Sequence, residues 1–171
     1  MREIITKVYN FSELSEDVKD KVINDKLYNI NVSNEWWDCT YDDARDIGLE
    51  IEEFDIYHNN IKGKLKNTIL NICEKIIKEH GADCETYKDA EISLKEFEAT
   101  RKKWILDTEE DEDEFIYSEE YEGLEEEFLR TLLEDYLIIL RKEYEYLTSR
   151  ESIIETIKAN EYEFTETGKL V

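Results

Sequence analysis

The sequence predicts a helix-dominated α+β protein, with five or six helices packed on a small, mainly antiparallel sheet. Three observations carry this expectation. Proline is absent and only five of the 171 residues are glycine, so the usual helix breakers are missing and a turn-rich sandwich is disfavoured. Apolar residues recur at three- and four-residue spacing through most of the chain, the signature of helices with one buried face. Two shorter stretches, near the start and before residue 66, alternate with period two as strands do. At 171 residues and 40% hydrophobic composition the chain can bury a sizeable core, which suits a single domain over 1–171.

Taken in order, Ile4 to Phe11 reads as a first strand. Ser15 then caps a helix with Val18, Val22, Leu27 and Ile30 on one stripe. Ser33 caps a second helix that runs through Trp36 and Trp37 and stops at Gly48, a natural left-handed terminator. In LEIEEFDIYHNNIKGKL, Leu49 and Ile51 are odd-numbered whereas Phe54 and Ile56 are even. The inward face therefore switches near Glu52 and Glu53, as a bulge or strand boundary would require, and Asn59-Asn60 turns the chain into a second strand. Ile69, Leu70, Cys73, Ile76 and Ile77 mark a helix ending at His80-Gly81. Tyr87, Ala90, Leu94, Phe97 and Trp104 mark a fourth, and Phe128 to Leu147 carries the strongest apolar periodicity of the chain. Thr148 and Glu151 make a capping box for a last helix, and a small hairpin around Thr165 to Gly168 closes the chain.

The charge is as informative as the periodicity. Formal net charge is −23, and thirteen of the twenty-one residues from Asp107 to Glu127 are Asp or Glu, with no Lys or Arg among them. Residues 107–123 form an acidic hinge or loop inside the single domain. A surface this negative does not bind nucleic acid or an anionic membrane directly, but it attracts proteins that do. If wholly helical, the run carries one negative charge per roughly 2.4 Å. If extended, it carries one per about 5 Å, against one per roughly 1.7 Å along B-DNA. A partly helical run lies within a factor of about three of duplex charge density. Glu119, Glu120 and Glu122 alternate with Tyr117 and Tyr121, rings that could stack where bases stack. The solvated-loop reading stands beside this one, because a further −10 lies outside the run.

Other chemistries find less support. His58 and His80 are the only histidines and neither lies in a ligand-spaced cluster; no phosphate-binding loop, nucleophile elbow or zinc-protease motif occurs. No catalytic residue, metal site or cofactor is therefore expected. His80 suits the negative end of a helix, and His58 a surface turn. Asp38, Asp42 and Asp46 form a carboxylate stripe, read as a solvated face because hard cations favour a loop that wraps them. Three cysteines are an odd number without a CxxC spacing. Cys39 and Cys73 fall on periodic helices and read as buried reduced thiols, pointing to a reducing cytosol. No stretch reaches the length of a membrane span, and the start MREIITKVYNF lacks a signal-peptide core. Trp36 and Trp37, placed on one helix, would point about 100° apart, one into the core and the other toward a groove or interface.

On EWWDCTYDDARDIGLEI and RKEYEYLTSRESIIETIKANEYEFTETGKL, the chain resembles a family of small acidic proteins encoded by phages and mobile elements. The resemblance brings no settled activity and no catalytic residue. It implies a setting in the bacterial cytoplasm, where such proteins inhibit host defence, anti-CRISPR and anti-restriction proteins included. With it, the acidic run becomes a candidate DNA-mimic surface for the basic nucleic-acid groove of a host protein, a CRISPR effector first among them. Asp111, Glu112, Asp113, Glu114, Glu119, Glu120 and Glu122 would supply the charge, with Tyr117 and Tyr121 as anchors. The alternative is an antitoxin-like or adaptor module that docks through the Trp36/Trp37 helix, with Trp37 as its contact.

Overall fold

The computed structural model describes residues 7–171 and has a helix-dominated α+β architecture. The chain forms two compact units, one from Met1–Trp36 with Lys142–Val171 and one from Trp37–Arg141.

In the first unit, β1 (Tyr9–Asn10) pairs antiparallel with β4 (Glu163–Phe164), Tyr9 opposite Phe164. This strand is shorter than the expected Ile4 to Phe11; residues 4–6 lie outside the described residues, and Phe11 already opens a 3-10 turn. The Glu13 carboxylate accepts the Asn10 N–H at 2.7 Å, which closes that turn. α1 (Glu16–Lys21) lasts six residues and widens into a π turn over Val22–Lys26, where the Leu27 N–H donates to the Val22 carbonyl at 2.9 Å. Val22 and Leu27 are five residues apart, and a five-residue turn is what stacks them on one side. Val22 and Ile23 join Phe11, Leu14, Ile153, Ile157 and Phe164 in the core of this unit. α6 (Arg150–Ala159) is capped by Ser149, whose hydroxyl accepts the Ser152 N–H, one residue later than the expected Thr148. Thr148 is used by the preceding helix, where its hydroxyl donates to the Tyr144 carbonyl at 2.8 Å. After β4 the chain turns back through Thr165 to Gly168, the small hairpin the sequence predicts.

In the second unit, α2 (Asp38–Ile47) begins five residues after Ser33. Residues 34–37 form a turn instead, in which Ser33 accepts only the Glu35 N–H at 3.4 Å. Gly48 ends α2 at φ 98°, as its position predicts. β2 (Leu49–Asp55) and β3 (Asn60–Leu65) pair antiparallel, and the register shifts between Ile51 and Glu53, at the switch of face read from the sequence. The turn between them puts Asn59 at φ 53°. Gly63 sits so close to the opposite strand that a Cβ would stand 2.4 Å from the Glu50 carbonyl oxygen. α3 (Ile69–Glu79) is capped by Thr68, and buries Ile69, Ile72, Cys73 and Ile76. α4 (Glu85–Thr108) and α5 (Glu119–Leu147) complete the unit's framework. Its core runs from Ile47 and Leu49 through Ile72 and Ile76 to Phe97, Phe115, Phe128 and Tyr136. Cys73 is buried, and burial pushes its thiol up to about 12. Cys39 is exposed, contrary to expectation, because the buried stripe of the short α2 runs through Ala44 and Ile47 on another side of the helix.

Candidate functional site: the acidic segment between α4 and α5

The segment is built around two helix ends. At the end of α4 the Thr108 hydroxyl donates to the Trp104 carbonyl at 2.9 Å, and Glu109 takes the left-handed conformation at φ 59°, which turns the chain back. Asp111 then precedes a 3-10 turn over Glu112–Tyr117. Ser118 caps α5: its hydroxyl accepts the Tyr121 N–H at 3.1 Å and donates to the Phe115 carbonyl at 2.7 Å. Glu119, Glu120 and Glu122 fall in the first turn of α5, where exposed helix N–H groups favour negative charge.

What holds this acidic stretch is one apolar side chain. Phe115 is 1% exposed and meets Phe97 and Trp104 with ring centres 5.6 Å away, and Tyr121 at 5.8 Å, edge to face. Arg101 of α4 pairs with Glu112 from the same side. The seven acids predicted to carry charge are all exposed. Among the described residues only Glu112 of the seven makes an ion pair.

The two tyrosines separate. Tyr117 is 79% exposed and lines a hollow of about 450 Å³ with Glu110, Glu114, Glu119 and Glu120, along the edge of Trp104. Tyr121 is 7% exposed and packed against Phe97 and Phe115, so it is not the surface anchor expected of it. Burial raises its phenol, and a hydrogen bond with the Ile69 backbone partly offsets the rise. Tyr121 thus belongs to the seat of the segment, and Tyr117 to its face. Glu110 and the Trp104 edge complete the hollow but stood outside the residues singled out from the sequence. Their signal is the chain reversal at Glu109, which brings the end of α4 beside the start of α5.

Trp36 and Trp37 precede α2 rather than lying on it, and both are half-buried. Trp36 packs on Tyr144 at 5.5 Å, and Trp37 on Phe54 at 5.6 Å, edge to face. On the Asp38, Asp42 and Asp46 stripe, Asp42 is paired with Arg45 at 2.6 Å. Among the described residues no group of three or more His, Cys, Asp or Glu side chains is arranged to hold a metal ion. No helix of the described residues is long and apolar enough to cross a membrane.

A second polar feature was not legible in the sequence. The fully buried Tyr136 donates its hydroxyl to Asp43 at 2.7 Å. The other Asp43 oxygen lies 3.7 Å from His80 Nε2, and His80 Nδ1 lies 2.8 Å from the buried Thr86 hydroxyl. His80 does terminate α3, but its ring is used by these two side chains. Desolvation, then the hydrogen bond and charge of Asp43, raise the Tyr136 phenol far above its ordinary range. It is a hydrogen-bond donor at any working pH.

Comparisons with protein-family models, with curated proteins and with solved structures give no match to this chain.

Proposed function

We propose that the chain is a non-enzymatic inhibitor from a phage or mobile element that occupies the basic nucleic-acid groove of a bacterial defence nuclease, a CRISPR effector in the first instance. The family resemblance supplies the setting. The acidic surface supplies the means: competition with the nucleic-acid backbone by charge and by bulk. The observation that carries the reading is the exposure of Asp111, Glu112, Asp113, Glu114, Glu119, Glu120 and Glu122 along one segment seated by Phe115. Six of them make no ion pair among the described residues, so their charge is available to a partner. Tyr117, standing among four glutamates, suits an arginine that stacks on the ring while its guanidinium meets carboxylate.

The test is binding and inhibition of candidate nucleases at low and high salt, with the seven acids changed to Asn or Gln. The expected outcome is tight binding that weakens steeply with salt in the native chain and is lost in the neutralised variant, while Trp37→Ala binds normally. Inhibition that survives neutralisation rejects the charge-mimic reading. If Trp37→Ala abolishes binding instead, the adaptor reading takes its place.

A further inference from the structure

Beside Tyr136 on α5, Asp135 faces α4. Its Oδ2 is closed off from solvent and has no hydrogen-bond partner among the described residues. The charged groups that act on it most strongly are acidic: Asp89 and Glu85 from α4, and Glu134 from its own helix. Neighbouring cations are committed elsewhere, Lys88 to Glu85 at 2.7 Å and Arg130 to Glu134 at 3.6 Å. On the other side of Tyr136, the chain through Asp43 of α2 and His80 at the end of α3 finishes on Thr86. Glu85, Thr86 and Asp89 all belong to the first two turns of α4, so both sets of contacts grip one place.

We propose that these contacts form a proton-linked lock on the start of α4. One proton held between Asp135 and Asp89 fastens α4 to α5, and the His80–Asp43 contact fastens it to α3 and α2. Without that proton, two carboxylates face each other with Glu85 beside them, and among the described residues neither has an ion pair of its own. That repulsion loosens the start of α4 as pH rises.

The sign follows from the carboxyl. Burial first, then the charge of Asp89 and a hydrogen bond with it, raise Asp135 to about 7. A raised folded-state value means that the contribution is fully present below the ordinary carboxyl range and is lost as pH rises through about 7. Between pH 6 and pH 8 the linked equilibrium shifts at most about tenfold.

Amide hydrogen exchange across Asp89–Ser93, at constant ionic strength and corrected for intrinsic rates, tests this on the full chain. The expected result is opening up to about tenfold greater at pH 8 than at pH 6, flat in D135N and with a smaller pH difference in D89N, where burial still acts on Asp135. In each variant Asn matches the neutral carboxyl in size. Equal protection of the native chain at both pH values overturns the lock, and so does a D135N or D89N protein that keeps the native pH dependence. The readout is the start of α4, not partner binding, so its result is separate from that of the proposed function.

Discussion

Phe115 and Tyr117 stand two residues apart in the same acidic turn and have opposite environments, one ring enclosed by Phe97, Trp104 and Tyr121 and the other facing water. Their substitutions should therefore separate stability from binding. Phe115→Ala should cost about 3–5 kcal/mol, as core Phe truncations do, measured by urea unfolding. Tyr117→Ala should change stability by less than about 0.5 kcal/mol, yet weaken binding to a basic partner by tenfold or more. A Tyr117→Ala protein that binds as the native chain does would remove the ring from the site. From the sequence, Tyr117 and Tyr121 looked alike as anchors, because both lie in the acidic run and neither stands in a clear heptad. Which ring is buried depends on where α4 passes, and that is set some twenty residues earlier.

At the scale of elements, the local rules were readable and their failures are instructive. Gly48 stops α2 and the face switch at Glu52 and Glu53 becomes a register shift, since both depend on neighbours only a few residues away. The Ser33 cap failed because Trp36 and Trp37 each find a ring outside α2, and the turn that permits this delays the helix to Asp38. The Thr148 cap failed because its hydroxyl donates back to the Tyr144 carbonyl in the last turn of α5. The β2–β3 hairpin carries a prediction of its own. Gly63 lies against the backbone of Glu50, with Leu133 of α5 3.0 Å from where a Cβ would stand. Gly63→Ala must push the strands apart or shift α5, and should cost about 1–3 kcal/mol by thermal or urea unfolding. A variant as stable as the native chain would mean that the hairpin gives way freely.

For the whole molecule, a net charge of −23 makes salt act in two directions. Raising ionic strength from about 0.01 M to about 0.15 M shortens the screening length from about 30 Å to about 8 Å. Self-repulsion of the folded chain should fall, so its unfolding temperature should rise by several degrees in a thermal scan. Affinity for a basic partner should fall over the same interval, since that attraction is screened too. Binding that strengthens with salt would point to an apolar contact and away from the acidic face.

What the sequence determined by itself was everything carried by short-range pattern. The helix-rich α+β class, the apolar stripes, the left-handed stop at Gly48 and the bulge all follow from spacing within a few residues, whereas the expected acidic hinge or loop at 107–123 gives way to helix from Glu119. The tertiary structure alone decided which groups meet across helices. It enclosed Phe115 and Tyr121 while leaving Tyr117 in water, joined Tyr136 to Asp43, His80 and Thr86, and set Asp135 against Asp89. The reason is physical. Periodicity shows which side of an element is apolar, but desolvation and charge coupling depend on the other element packed against it, and for α5 that partner stands far off in sequence, 93 residues away for Tyr136 and Asp43.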